Sequence, residues 1–427
     1  MPSHAQHRRS GSSRSAEGRS AEGRSGSGHQ HGDVEAPTVV RGRRALTALI
    51  ALLAVATVVG MVLLRPGADR VQPEVGGRGE RVEGTVTGVS RTSCDVAGAV
   101  EGEQGPEECL EVAVVLDDGP EQGRTVTQVL SPPLTLAPEV GRGVVLVRDA
   151  GAPLEERYQL VDEQRGGALA LLTAIFALAV IALGRWRGAL ALVGLGVSLV
   201  VLVGWLVPAL LAGRPPLLTA VVGATAVMLV VLFLAHGPSL RTATATAGTA
   251  ISLALTLGLA AAFVELAALS GLTSDDALYV SVTFEGVDVR GLLLAGIVIG
   301  ALGILDDVTV TQVSTVWELR AASATMPTRE LFAAALRVGR DHIASTVNTL
   351  LLAYAGASLP LLVIFSTSGE GLVDTLTGGV VGQEVVRTLV GSIGLVAAVP
   401  VTTALAALMC PPATPRAGGP GADVAAT

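Results

Sequence analysis

Eight apolar stretches follow one another along the chain, and polar segments separate them. A helix that crosses a bilayer needs about 20 consecutive apolar residues, and each stretch approaches or exceeds that length. The stretches are residues 45–64, 167–184, 188–213, 217–235, 243–269, 291–310, 343–365 and 388–410. This pattern predicts an α-helical polytopic membrane protein with eight transmembrane helices.

The first stretch differs from the others because a long polar segment, residues 1–44, precedes it. Its apolar run exceeds the core of a cleavable signal peptide, which has about 7–15 apolar residues. We therefore predict a retained signal-anchor helix at residues 45–64. The terminal segments 1–44 and 411–427 show no apolar periodicity, which is typical of disordered tails.

Residues 65–166, between the first two apolar stretches, follow a different pattern. Valine, threonine and leucine alternate there with polar and small residues in short runs, as they do in β-strands. The runs are 81–90, 110–116, 125–130, 144–148 and 158–161. Five short strands in one segment predict a small extracytoplasmic domain that resembles a β-barrel. Such a fold does not by itself imply nucleic-acid binding.

Arginines set the direction of the predicted helices. They precede the first stretch and are concentrated in every second short loop, whereas the intervening short loops carry mainly acidic residues. Because short cytoplasmic loops are enriched in Lys and Arg, both termini are predicted in the cytoplasm, with the protein in the plasma membrane. Arg214 is an exception, since it lies in a loop assigned to the outside.

Two cysteines, Cys94 and Cys109, fall in the segment assigned to the outside. Thiols can oxidise in that compartment, and a loop of about 15 residues closed by a disulfide gains about 3 kcal/mol. We therefore predict a disulfide between Cys94 and Cys109, with two free thiols as the alternative.

Composition excludes several classes of protein. The chain is half apolar, only 15% charged, and has a net charge of −8, so nucleic acid is not predicted as a partner. All 29 basic residues are arginine, which excludes the lysine of a phosphate-binding P-loop and of a Schiff base. We recognise no catalytic motif, cofactor motif or metal-ligand spacing, and therefore do not expect an enzyme.

Two adjacent carboxylates, Asp306 and Asp307, lie near the end of the apolar run that begins at Gly291. Ionised carboxylates are costly in hydrocarbon, and where they occur they usually face a cavity or a partner. A helix rises about 1.5 Å per residue, which places the pair in the inner leaflet, roughly 6–8 Å from the cytoplasmic boundary. This pair is the first candidate for a functional site.

Asp307 shares one helical face with Gly296, Gly300 and Gly303, whereas Asp306 is rotated by about 100°. Gly296 and Gly300 form a small-xxx-small pair, which allows helices to approach closely. We therefore predict that this face packs against neighbouring helices. On that interpretation Asp307, rather than Asp306, points into the protein.

Polar residues of neighbouring stretches fall at a similar depth. Thr249 lies in the fifth stretch, Asn348 lies in the seventh, and Thr311 follows the aspartates in the sixth. Together with the two aspartates, these residues are predicted to line a substrate or ion pathway open to the cytoplasm. In the alternative interpretation, the sixth span ends at Leu305 and the aspartates are interfacial charges.

The run from Gly300 to Arg320, GALGILDDVTVTQVSTVWELR, resembles the YibE/F family of bacterial multi-spanning membrane proteins. The resemblance is strongest over residues 278–365 and extends over 45–410. It implies a signal-anchor helix, an extracytoplasmic β segment and seven further spans. It also suggests a role in transport, without a known substrate or catalytic residues.

Two functions of different classes agree with these features. The first is a transporter or permease of unknown substrate, for which the polar pathway is the argument. The second is a membrane-anchored sensor or scaffold that acts through its extracytoplasmic β domain. The expected partners are the lipid bilayer, an unknown small solute or ion, and optionally further copies of the chain in a homo-oligomer.

Overall fold

The computed structural model describes residues 37–67, 80–94, 108–131, 138–153, 156–284, 286–367, 369 and 371–411. The predicted terminal tails lie almost entirely outside these residues. Helix α1 (Pro37–Leu63), however, begins at Pro37 rather than at residue 45, so residues 37–44 are helical. Proline is favoured in the first turn of a helix, because the N–H groups there have no partner within the helix and a missing N–H costs nothing.

The five predicted strands are all present and form one antiparallel sheet in the order β3-β2-β1-β4-β5. Their bounds are β1 Glu80–Thr92, β2 Cys109–Leu116, β3 Thr125–Leu130, β4 Gly143–Arg148 and β5 Tyr158–Glu163. Alternate residues of β2 and β4 are buried, which is the period-2 pattern that the sequence shows.

The sheet is curled, with the two edge strands close together. The backbone N–H of Leu160 in β5 donates to Oε1 of Gln128 in β3, 2.6 Å away. The register of β1 shifts between Val86 and Gly88, and such irregularities bend a strand. In the described residues no backbone ladder joins β3 to β5, so the domain is a curled sheet and the predicted barrel is not confirmed.

The remainder of the described chain is helical. The helices are α2 Gly166–Val201, a π-helical turn Leu202–Leu206, α3 Val207–Leu211, α4 Pro216–His236, α5 Leu240–Leu266, α6 Asp275–Thr283, α7 Val289–Ala322, α8 Thr328–Ala357, α9 Leu359–Thr367, α10 Leu372–Thr377 and α11 Gly379–Met409. Within the described residues, six helical segments are long and apolar enough to cross a membrane. These six are Gly42–Leu63, Gly166–Leu211, Pro216–His236, Leu240–Leu266, Val289–Ala322 and Gly379–Met409.

Six segments replace the eight predicted stretches for two local reasons. The segment Gly166–Leu211 contains both the second and the third stretch, and Arg185 interrupts it with φ 51° and ψ −131°. The seventh stretch is divided at Ser358 between α8 and α9. Pro360 accounts for this second break, since a proline ring clashes with the carbonyl one helical turn earlier.

The helix bends sharply at Arg185. A Cβ atom on Gly188 would overlap the carbonyl oxygen of Val180. Eight residues of a straight helix would separate these positions by about 12 Å, so the axis must change direction strongly between them. Residues 166–184, before the bend, have almost all of their side chains exposed.

Helices α5, α7 and α11 pack against one another in the centre of the bundle, and α4 and α8 flank them. One apolar cluster joins α4, α5, α7 and α11 through Met228, Leu253, Leu305 and Ala398. Residues 242–249 of α5 are all buried. The first half of α5 is thus enclosed on every side. It packs beside α7, the helix that carries Asp306 and Asp307.

Candidate functional site

Helix α7 carries the carboxylate pair and does not end at Leu305. It begins after Asp288, whose side chain accepts a hydrogen bond from the N–H of Gly291 at 2.9 Å, and it continues to Ala322. Its 34 residues correspond to about 51 Å, which exceeds the roughly 30 Å of a hydrocarbon core. Asp306 and Asp307 therefore lie within a continuous helix.

Asp306 is the more buried of the two carboxylates. Its Oδ1 atom is shielded from solvent and has no hydrogen-bond partner among the described residues. The neighbouring Leu302 and Leu305 belong to the central apolar cluster. The expectation that Asp307 points inward is thus wrong, because the buried side of α7 is the side of Leu305 and Thr309.

Asp307 lies on an exposed face of α7 together with Gly296, Gly300 and Gly303, and we call these four residues the glycine face. A Cβ on Gly303 would meet nothing within 4 Å, whereas one on Gly300 would lie 3.4 Å from Oη of Tyr354. In the described residues no helix packs closely onto the glycine face. The predicted packing role of these glycines is therefore not seen within one chain.

The close helix approach occurs elsewhere, between α5 and α11. A Cβ on Gly248 would lie 2.6 Å from Oγ1 of Thr402, and one on Gly394 would overlap Oγ1 of Thr256. The residue numbers rise along α5 from the first contact to the second and fall along α11, so the two helices run antiparallel. Glycine-mediated packing is therefore present in the bundle, but on helices that the sequence pattern did not single out.

A buried polar seam runs along α7 and connects it to α5 and to α8. Oγ1 of Thr249 in α5 lies 2.6 Å from Oγ1 of Thr309 in α7, and both side chains are fully buried. Nε2 of Gln312 donates to the carbonyl oxygen of Ala335 in α8 at 2.8 Å. Thr249, a predicted pathway residue, therefore lies at a helix–helix contact one turn from the aspartates.

Two further hydroxyl groups of the seam have no partner. The hydroxyl oxygens of Ser252 in α5 and Thr402 in α11 are buried, and neither forms a hydrogen bond with another described residue. A buried hydroxyl without a hydrogen-bond partner is unfavourable for stability. These two groups nevertheless lie in the packed centre of the bundle.

Thr311 and Asn348 are exposed and do not join the seam. The buried side of α8 is that of Leu331, Ala335 and Gly339. Nine residues separate Gly339 from Asn348, which is a rotation of about 180° on a helix. Asn348 therefore points away from the side of α8 that packs on the bundle, and its role in a pathway stays a prediction.

The carboxylate pair lacks a counter-charge in the part of the chain that the structure describes. Among the described residues, neither Asp306 nor Asp307 forms an ion pair, although several such pairs occur in the β domain. The described residues also contain no group of three or more His, Cys, Asp or Glu side chains that could hold a metal ion. The pair can thus accept a proton or a small cation, but the described residues offer no preformed metal cage.

The β domain contains a disulfide between Cys94 and Cys109, with a Cα–Cα distance of 5.2 Å. Cys94 lies two residues after the end of β1, and Cys109 is the first residue of β2. The ladder partner of Cys109 is Thr92, the last residue of β1. The pairing is the one that the spacing in the sequence predicts.

Comparison with known proteins identifies the family of the helical part. A family model described as YibE/F-like protein matches residues 172–412. This range contains every described helix from α4 to α11, including the carboxylate pair. No curated protein matches the chain, and no solved structure matches it.

Proposed function

The chain belongs to the YibE/F family, and on this premise we propose that it is a membrane permease in which Asp306 and Asp307 bind a proton or small cation during transport. The observation that carries the proposal is the unpartnered Oδ1 of Asp306 in the middle of a long apolar helix. Intramembrane carboxylates are costly, and they mark ion and proton pathways when they lack a structural partner.

The topology that we propose has eight spans, with both termini in the cytoplasm of a bacterial cell. In this topology the bend at Arg185 is the turn of a hairpin of two spans, because residues 166–184 rise about 28 Å as a helix and the segment after Arg185 is longer. Helix α8 and α9 together form the seventh span. This arrangement assigns Arg185 and Arg187 to the cytoplasmic side, in agreement with the positive-inside rule.

The glycine face offers a route along α7. Its lack of side chains leaves an open strip that starts at Asp307 and runs toward the outer end of the helix. Oη of Tyr354 lies beside Gly300, and Nη2 of Arg387 lies 3.9 Å from the Cβ position of Gly296. Arg387 is paired with Glu384 at 2.9 Å. Polar groups thus border the strip from the middle of α7 to its outer part.

The two carboxylates have different roles in this proposal. Asp306 is half-buried, and its Oδ1 atom has no partner among the described residues. A bound proton or cation would compensate the charge of this carboxylate. Asp307 lies exposed on the glycine face, and it is the carboxylate that a solute moving along the strip meets first. Neutralising Asp306 is therefore expected to have the larger effect.

Electrical recording on a solid-supported membrane tests the proposal without knowledge of the solute. Proteoliposomes of the full-length protein receive jumps in pH, Na⁺ and K⁺ concentration. We expect a transient current for at least one cation, a loss of about tenfold or more in Asp306→Asn, and a smaller loss in Asp307→Asn. The matched control is Asp341→Asn, an exposed carboxylate of α8 that lies outside the pair.

Two outcomes contradict the proposal. One is a double variant, Asp306→Asn with Asp307→Asn, that gives wild-type currents at equal protein density. The other is the absence of any wild-type current above that of protein-free liposomes for all three cations.

A further inference from the structure

A cavity of about 500 Å³ opens at the arginine-bearing end of the bundle, separate from the carboxylate pair. Residues of α2, α4, α5 and α7 line it, and three of them carry basic groups, namely Arg187, His236 and Arg241. These three residues are far apart in the sequence. The fold brings them together because the hairpin turn at Arg185 and the α4–α5 loop lie at the same end of the bundle.

The cavity has an excess of positive charge. Nη1 of Arg241 lies 3.5 Å from Oε1 of Glu318, and its guanidinium group lies 5.9 Å from the centre of the Trp317 ring. Arg187 forms no ion pair in the described part of the chain. Glu318 therefore offsets the charge of one arginine but contacts only its Nη1 atom, so both guanidinium groups keep N–H donors for an anionic ligand.

The loop between α4 and α5 is held in place by its own hydroxyl groups. Oγ of Ser239 accepts a hydrogen bond from the N–H of Thr242 at 3.1 Å, and Oγ1 of Thr242 donates to the carbonyl oxygen of Gly237 at 2.7 Å. Ser239, Arg241 and Thr242 all line the cavity, so it faces the first turn of α5. The positive end of that helix dipole adds to the attraction for an anion.

The rest of the cavity wall is apolar, and it includes Leu232, Val310 and Val313. The adjoining hairpin turn exposes Leu183 and Trp186, whose exposed fractions are 93% and 76%. Tryptophan is enriched at the membrane–water interface, so the cavity lies at the level of the lipid headgroups. A ligand in this position meets cations on one side and hydrocarbon-like groups on the other.

We propose that this cavity binds the phosphate group of an anionic phospholipid of the inner leaflet. Arg187 and Arg241 receive the phosphate, because the planar guanidinium group matches two phosphate oxygens. The apolar wall receives the first carbons of the lipid. Basic pockets between helices on the cytoplasmic side are suited to such headgroups, and a soluble phosphate would leave the apolar wall unused. The site does not depend on the transport role of the carboxylate pair.

The test is a titration of the purified full-length protein in a neutral detergent, followed by tryptophan fluorescence. The probes are dioctanoyl phosphatidylglycerol, dioctanoyl phosphatidylcholine and inorganic phosphate. We expect saturable, tighter binding of phosphatidylglycerol and a roughly 30-fold loss of affinity in Arg187→Gln with Arg241→Gln, since each arginine contributes about 1 kcal/mol near an anionic headgroup. Arg187→Gln alone removes an exposed, unpaired group, and it is expected to lose about fivefold with the fold intact.

The matched control is Arg329→Gln with Arg337→Gln, two exposed arginines of α8 that do not line the cavity. An equal loss of affinity in this control would overturn the proposal, as would equal affinities for the two lipids. Inorganic phosphate that binds as tightly as phosphatidylglycerol would overturn the assignment to a lipid.

Discussion

At the scale of single residues, two neighbouring aspartates of identical chemistry have different environments. The Oδ1 atom of Asp306 is shielded and unpartnered, whereas Asp307 is exposed. One residue along a helix is a rotation of about 100°, which is enough to move a side chain from the edge of the core to the surface. A buried carboxylate without a partner destabilises the fold, and proteins retain such groups where function requires them.

This difference predicts unequal stability effects for two conservative variants. Asp306→Asn is expected to raise the melting temperature in detergent at pH 8 by about 2 °C, or roughly 1 kcal/mol, because it removes an uncompensated charge. Asp307→Asn is the matched control and is expected to change stability by less than about 0.5 kcal/mol. A lower melting temperature of Asp306→Asn, relative to Asp307→Asn, would show that Asp306 has a structural partner.

At the scale of elements, the contact between α5 and α11 is the tightest part of the bundle. Gly394 approaches Thr256, whose Oγ1 is held by a hydrogen bond to the carbonyl oxygen of Ser252 at 2.8 Å. The threonine cannot rotate away without losing that bond. Small residues that let two backbones approach are a main source of helix association in membranes.

Gly394→Ala is therefore expected to destabilise the protein by about 1–3 kcal/mol, the usual cost of overpacking. Gly391→Ala is the matched control on the same helix, because a Cβ there meets nothing within 4 Å. This control is expected to keep or raise the stability, since alanine favours a helix more than glycine does. Thermal melting of both variants in detergent decides, and equal melting temperatures would contradict the close contact.

At the scale of the whole molecule, the hairpin at Arg185 and the break at Ser358 decide how many times the chain crosses the membrane. If residues 166–211 crossed only once, every later loop as far as α8 would change sides. The arginines between α7 and α8 would then lie outside, against the positive-inside rule. The proposed eight spans avoid that conflict.

Reporter fusions after Pro238, Met326 and Gly371 separate these topologies. With eight spans, the first two positions are cytoplasmic and the third is outside. With six spans, all three are outside, because α2 crosses once and α8 with α9 does not cross. Alkaline phosphatase is active only outside, and green fluorescent protein fluoresces only inside, so paired fusions at each position give independent readings. An outside reading at Pro238 would contradict the hairpin.

Several features of this protein were predictable from short stretches of its sequence. The apolar runs, the five alternating segments and the cysteine spacing predicted the helical class, the β-strands and the Cys94–Cys109 pair. The run around Asp306 and Asp307 also indicated the family. These features depend on residues close together in the chain, and a window of a few turns or strands contains the whole signal.

The inward side of each helix became clear only in the folded bundle. The glycine spacing in the sequence favoured Asp307, yet the core lies on the side of Leu305 and Thr309. The sequence pattern also pointed to Thr311. The residue that bonds to Thr249 in α5 is instead Thr309, two residues and about 200° away on the helix. No local pattern brings Arg187, His236 and Arg241 into one cavity. The physical reason is that orientation follows from the summed packing of several helices distant in sequence, which no single helix encodes.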